Sequence, residues 1–187
     1  LVGVNHVEAH LYAALMSSDA TVSFPLLGVV LSGGHTCLLE VEKVGSYKLL
    51  GQTVDDAVGE AFDKVAKLLQ MPYPGGPPVE ALAKEGNPKR FALKAGSCKN
   101  NPLNFSFSGL KTAVLYAYQD PSQKADICAS FQEAAFSDIL KKIELAARLS
   151  GSKGVLFGGG VTNNQTLRDL FEKRCPELKA IWPTRLL

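Results

Sequence analysis

Cysteine, histidine and long apolar runs are all scarce in this chain of 187 residues. The four cysteines, Cys37, Cys98, Cys128 and Cys175, stand far apart without a C-x-x-C pair, which argues against a zinc–thiolate site. Their density is too low for a disulfide framework, so reduced thiols and a cytoplasmic protein are expected. No apolar stretch approaches the roughly 18–20 residues of a membrane span, and no membrane partner is expected. Internal repeats and low-complexity runs are absent. So are the G-x-G-x-x-G and Walker patterns, which excludes the Rossmann and P-loop ways of holding phosphate. Excess charge is missing too: 20 Lys and Arg against 18 Asp and Glu leave a net charge of +2, which does not by itself announce nucleic acid. What is present is globular, with 46% hydrophobic and 20% charged residues, which excludes a disordered tail or a collagen-like repeat. The length suits one domain or one and a fraction. The first residue is Leu1 rather than Met, from which a processed or excised piece is expected.

The pattern along the chain predicts alternating strands and helices. Val2-Gly3-Val4 reads as a short strand and His6 to Ser17 as a helix, stopped at Ser17-Ser18-Asp19. Leu26 to Leu31 and Thr36 to Val41 read as a hairpin around Gly33-Gly34, with Tyr47 to Leu50 a third strand. Val58, Ala61, Phe62, Val65, Leu68 and Leu69 recur at helical spacing, with Asp55-Asp56 as the expected cap. Pro72 to Pro78 reads as a loop, followed by a short helix near Val79 to Lys84. Residues 85–105 read as irregular. Helices are expected over Gly109 to Tyr118 and Ser122 to Leu149. Gly154 to Phe157 reads as a buried strand, followed by a helix capped by Thr162 or Asn163. Ala180 to Trp182 begins another strand. This order gives an α/β domain with an at least partly parallel sheet.

All three histidines fall within the first 35 residues. His6 and His10 form H-V-E-A-H, and positions i and i+4 share one helix face, so both rings can converge on one ion. The alternative is a pair of partly exposed surface histidines. A metalloprotease would place Glu directly after the first histidine. Here that position is Val7, and Glu8 lies about 200° round the helix from His6. Two histidines leave the site short of ligands, and a third, carboxylate ligand is expected from elsewhere.

Two glycine turns could cradle an anion. Leu31-Ser32-Gly33-Gly34-His35-Thr36 offers close backbone approach with the hydroxyls of Ser32 and Thr36, or is an ordinary hairpin turn. Phe157-Gly158-Gly159-Gly160-Val161-Thr162-Asn163-Asn164 is a strand, a glycine turn and a helix N-terminus, which suits a nucleotide, or is a plain strand–helix turn. Asp63 sits inside an amphipathic helix; alone it reads as a solvated carboxylate, but with the Pro-Gly-Gly-Pro loop it could line a polar pocket. The set suggests a nucleotide-like ligand whose phosphate meets a metal.

In this order these residues closely resemble the tRNA threonylcarbamoyladenosine transferase (TsaD) family. The matching blocks are Asn5 to His10, Leu31 to Thr36, Asp55 to Lys64, Tyr73 to Pro77, Phe105 to Thr112 and Gly158 to Asn164, and they span essentially the whole chain. The resemblance implies the α/β fold of actin, sugar kinases and heat-shock ATPases (ASKHA), incomplete here, with mixed sheets flanked by helices. It places residues 1–25 in a remnant of the first lobe carrying the metal helix. Residues 26–187 would be most of the second lobe, with a helical insertion at about 56–150. It implies transfer of a threonylcarbamoyl group from threonylcarbamoyl-AMP to the exocyclic amine of the tRNA adenosine next to the anticodon. His6 and His10 match ligands of one divalent metal ion, iron or zinc. Val30, Leu31, Ser32, Gly33 and Gly34 match the loop holding the carbamoyl-phosphate part. Asp63, Gly76 and Asn164 match residues holding the nucleotide, as does Glu80, where many relatives carry Asp. Cys37 replaces a usual Gln. The implied partners are tRNA, threonylcarbamoyl-AMP, a paralogous subunit of the same fold and a small ATPase subunit.

The family's opening strand and loop lie upstream of the histidine pair, and its third metal ligand is an Asp downstream of the last residue. The 187 residues alone are therefore expected to hold metal weakly and not to turn over. Lys84, Lys89, Arg90, Lys94 and Lys99 form a basic stretch that reads either as an RNA phosphate contact or as a solvated loop. Competing readings are a zinc metalloprotease (sialoglycoprotein endopeptidase), which Val7 opposes, a non-catalytic paralogue acting as scaffold, which retention of both histidines opposes, and a sugar kinase or ATPase.

Overall fold

Leu26–Leu31, the first strand (β1), is apolar at every position but Gly28 and buried along its whole length. Such a run needs cover on both faces of a sheet, and the architecture supplies it. A computed structural model describes residues 1, 3–16 and 22–184. The other elements are α1 (His6–Met16), β2 (Thr36–Lys43), β3 (Ser46–Gln52), α2 (Val58–Leu68), α3 (Gly76–Ala83), α4 (Ser108–Ala117), α5 (Lys124–Ser150), β4 (Gly154–Gly158), α6 (Gln165–Arg174) and β5 (Lys179–Ile181). The sheet order is β3-β2-β1-β4-β5. β1, β2 and β3 are antiparallel, while β4 runs parallel to β1 and to β5. This is the mixed sheet flanked by helices that the sequence predicts.

The two-residue period of the strands divides the core. Leu27, Val29, Leu31 and Leu38 join Val155 and Phe157 in a large cluster with α2 and α5, where Phe62, Phe131 and Phe136 pack together. Leu26, Val30, Cys37, Val41 and Leu156 face the other way onto a small cluster closed by Leu11 and Ala14 of α1. Among the described residues no helix is long and apolar enough to cross a membrane.

Several local expectations need correction. Gly3 and Val4 are in no strand, Val2 lies outside the described residues, and so does the helix stop at Ser17–Asp19. Asn5 caps α1, its side-chain oxygen accepting from the amides of Val7 and Glu8 at 2.9 and 3.2 Å. Asp55 and Asp56 do not cap α2, whose cap residue is Ala57. Asp55 instead reaches across the chain: its carboxylate accepts from the Ser106 hydroxyl at 2.6 Å, the Phe107 amide at 2.8 Å and the Ser108 hydroxyl at 2.8 Å. Pro77 and Pro78 lie inside α3 rather than in the loop before it, since the first helical turn needs no amide from them. Asn164, not Thr162 or Asn163, caps α6, because Gly160–Asn163 form a 3-10 turn that delays the helix. Trp182 lies just beyond β5 and stacks on Phe157.

Candidate active site

The first glycine turn links β1 to β2. The Ser32 amide donates to the His35 carbonyl at 2.8 Å, and the Ser32 hydroxyl accepts from the His35 amide at 2.9 Å. The Ser32 side chain thus closes the turn. Val30 and Leu31 are wholly buried in β1, so neither side chain faces a ligand. Gly33 and Gly34 have open space where a Cβ would stand. The N-terminus of α2 is seated against this turn. The Gly59 amide donates to the Ser32 carbonyl at 3.2 Å, and a Cβ on Gly59 would stand 2.7 Å from that oxygen. Thr36 is buried; its hydroxyl accepts from the Val58 amide at 2.8 Å and so belongs to the fold rather than to a ligand.

The second turn follows β4. Gly159 takes φ +93°, a conformation only glycine adopts readily, directly beside Leu31 and Ser32. The two turns are thereby brought side by side. Between them, α2 and α3 leave a cavity of about 360 Å³ whose walls include Gly33, Asp63, Gly76, Glu80, Gly160 and Asn164. Five predicted ligand residues, Glu80 and one from each of four separated blocks, therefore share one cavity. Their polar groups are held from within the protein. Asp63 accepts from the Gly75 amide at 2.7 Å, and Glu80 accepts from the Gln165 amide at 2.8 Å. Asn164 donates to Gln132 at 2.9 Å and accepts from the Leu167 amide at 3.2 Å.

His6 and His10 converge, with ring centroids 4.6 Å apart. His35, from the first glycine turn, stands 5.6 Å from His6. Burial, then the neighbouring His6 and His35, lowers the pKa of His10, which favours the neutral imidazole with a free lone pair. Its Nε2 is buried without a hydrogen-bond partner in the structure. This orphaned acceptor and the convergent pair fit two ligands of a divalent cation. Among the described residues no group of three or more His, Cys, Asp or Glu side chains is arranged to hold one. Glu8 lines a recess together with Gly34, His35, Tyr47 and Leu49.

The sequence reading missed the glycine seats that hold these parts. A Cβ on Gly158 would stand 2.5 Å from the His10 carbonyl oxygen and 2.9 Å from its Cβ, so α1 rests directly on the end of β4. Gly28 makes similar room for Leu11. On Gly75 a Cβ would meet Ala66 and the backbone of Asp63. A glycine inside an otherwise apolar strand was the available signal. His35, flanked by the expected turn, gave none.

The architecture matches that of solved structures. Full-length HypF, crystallised in a phosphate- and nucleotide-bound form, superposes with a TM-score of 0.78 at 15% identity, covering 96% of this chain and 39% of HypF. The sheet and its helices are thus part of an actin-, sugar-kinase- and heat-shock-ATPase-like fold. The family model for TsaD, tRNA N6-adenosine threonylcarbamoyltransferase, matches residues 1–187, and the chain belongs to that family. A tRNA N6-adenosine threonylcarbamoyltransferase from Protochlamydia amoebophila (strain UWE25) is 59% identical, aligned over 98% of this chain and 57% of its own length. The proteins of the same name from Geotalea daltonii and Gloeobacter violaceus are 47% and 43% identical, over 90% and 98% of this chain. The chain spans about half the length of these relatives, covering 50% and 54% of the last two.

Proposed function

We propose that this chain carries the donor-binding part of an enzyme that moves a threonylcarbamoyl group from threonylcarbamoyl-AMP to the exocyclic amine of the tRNA adenosine next to the anticodon. The observation that carries this reading is the shared cavity. Gly33 and Gly160 offer open backbone for a phosphate, and Asp63, Gly76, Glu80 and Asn164 line the side where a nucleoside would lie. Val30 to Gly34 would hold the carbamoyl-phosphate part through main-chain groups. His6 and His10 would hold one divalent ion, iron or zinc, with a carboxylate from outside residues 1–187 as third ligand. When bound, that ion supplies Lewis-acid polarisation of a carbonyl or phosphate oxygen.

The remaining work falls to the chain itself. The glycine-turn amides stabilise charge on the departing AMP. Fixing the carbamoyl carbon against a neutral, weakly nucleophilic amine supplies much of the acceleration. In the transfer, a bond forms between the amine nitrogen and the carbamoyl carbon, the bond from that carbon to the AMP phosphate oxygen breaks, and the amine loses a proton. A paralogous subunit and a small ATPase would complete the assembly in the cytoplasm.

The test supplies threonylcarbamoyl-AMP, metal and tRNA, with those partners present, and quantifies the modified nucleoside by mass spectrometry. Product with the natural protein, and its loss in His10→Ala and Asp63→Ala variants that still fold, supports the reading. Product undiminished in both variants overturns it.

A further inference from the structure

The basic stretch noted in the sequence does not hang free. From the C-terminal end of α3 it runs alongside α5. A Cβ on Gly86 would press on the Ala125 backbone, the Asn87 amide donates to Asp126 at 2.7 Å, and the Phe91 amide donates to Ser130 at 3.2 Å. Two contiguous recesses of about 300 and 550 Å³ then lie between this segment and α5, sharing Ala95, Asp138 and Lys141. At its start, Lys84 lines a recess that shares Pro77, Glu80 and Asn163 with the ligand cavity. The cations therefore form a line that leaves the rim of that cavity. Lys84, Lys89, Arg90 and Lys94 come from the segment, and Lys141 and Arg148 from α5, all of them exposed. From Ala125 to Arg148 the helix advances about 35 Å at 1.5 Å per residue.

Of the acids along this line, Glu85 stands exposed beside Lys84 and Asp126 accepts from the Asn87 amide at 2.7 Å, while the others have partners of their own. Asp138 pairs with the buried Lys142, Glu144 with Arg174 at 3.2 Å, and Glu133 accepts from the Ser137 hydroxyl at 3.0 Å. No ion pair is recorded for Lys94, Lys141 or Arg148 among the described residues. Six cations outnumber the four acids of this line that form no ion pair among the described residues, Glu80, Glu85, Asp126 and Glu133, so the line is net positive. A spaced ribbon of cations, rather than a cluster, matches the regular charge of a polynucleotide backbone.

We propose that this track along α5 is an RNA-binding exosite that takes phosphodiesters of the tRNA outside the reacting adenosine. The proposal rests on the RNA-modifying reading above.

The experiment measures binding of unmodified tRNA to the protein between about 50 and 200 mM salt, where each phosphate contact contributes about 0.7–0.9 to the slope of log K on log salt. The variant K94E/K141E/R148E should bind at least tenfold more weakly and with a slope smaller by about 2–3. Its affinity for AMP and its thermal unfolding should stay as in the natural protein. A charge-matched control off the track, K43E/K173E/K179E, should keep the natural slope. A variant indistinguishable from that control overturns the exosite. So does an unchanged tRNA slope accompanied by loss of binding to an acidic protein subunit. Failure of the natural protein to bind tRNA at all removes the RNA reading itself, and with it the track.

Discussion

The cavity and the histidine pair are built on opposite terms. In the cavity, Asp63, Glu80 and Asn164 each have a partner inside the protein, so their positions are fixed before any ligand arrives. They sit over the large cluster shared with α2 and α5. At the histidines the packing is thin, with a cluster of eight buried residues among those described, and the buried Nε2 of His10 has no hydrogen-bond partner there. An unsatisfied buried polar atom costs on the order of 1–3 kcal/mol. The difference teaches that the two regions are held on different terms: the cavity residues are fixed by hydrogen bonds within the protein, while the Nε2 of His10 has none.

The largest effect should come from the histidine side. His10→Ala removes an atom whose partner is absent from the fold, so stability should change by less than about 1 kcal/mol. Divalent-metal affinity should fall at least about 100-fold, beyond the 10–100-fold typical of losing a mere supporting contact. Cobalt(II) titration followed by visible absorption reads the metal affinity and urea unfolding the stability. A large stability loss with metal affinity intact would mean that the ring is a packing element and the comparison is wrong.

Gly158→Ala tests whether the two regions are mechanically joined. The added methyl must displace the His10 backbone or the end of β4, at a cost of roughly 1–3 kcal/mol. Metal affinity should drop about 10-fold or more with both histidines still present, a loss on the scale of a missing supporting contact. Gly76→Ala is the contrast, because nothing stands near its Cβ and the site is at the start of a helix. It should leave stability and metal affinity unaltered while weakening AMP binding. Equal behaviour of the two variants would dissolve the distinction between a seat and an open wall.

The sequence was informative where function demands a residue type and poor where the demand is mutual. The i, i+4 histidines, the two glycine turns and Asp63 stood out by spacing and context, Glu80 only through the family resemblance, and five of the predicted ligand residues meet in one cavity. Strand and helix order was readable from apolar periods of two and near four. Asp55 was misread as a helix cap because its true partners lie some 51–53 positions away, beyond any local pattern. Gly158 was legible as part of a glycine turn but not as the seat of α1, nor Gly59 as that of the first glycine turn, since the crowding that requires them exists only after α1 and α2 dock. Lys141 and Arg148 carried no signal as part of a basic stretch, because α5 brings them beside Lys94 only in three dimensions.

Asp63→Asn probes the cavity side. The amide oxygen can still accept from Gly75, so the fold should lose no more than about 1 kcal/mol. The negative charge is gone, and if a ribose hydroxyl or base amine donates to it, AMP affinity should fall roughly tenfold, as a lost charged hydrogen bond of about 1.4 kcal/mol would require. Calorimetry with AMP decides this. Metal affinity should not move, and a parallel drop in it would show that the regions are coupled through α2 rather than through Gly158.

The smallest effect on either region belongs to Asp55, which lies outside both and ties the strand–helix connection before α2 to the start of α4. Burial raises its carboxyl pKa, but hydrogen bonds from Ser106, Phe107 and Ser108 outweigh this and hold it below the usual range near 3.9. A depressed carboxyl contributes stability that is present above its unfolded pKa and lost as pH falls through the folded value. Asp55→Asn should therefore cost about 1–2 kcal/mol at pH 7, at the low end for charged hydrogen bonds because water reaches the carboxylate. The gap between the natural protein and the variant should hold from pH 7 to pH 5 and close below about pH 4, as read by urea unfolding at each pH. Metal and AMP affinities should be unchanged throughout, since neither the cavity nor the histidine pair uses this carboxylate. A gap that stays open in acid would show that Asn fails to fit the Ser106–Ser108 turn for reasons of shape, with charge playing no part.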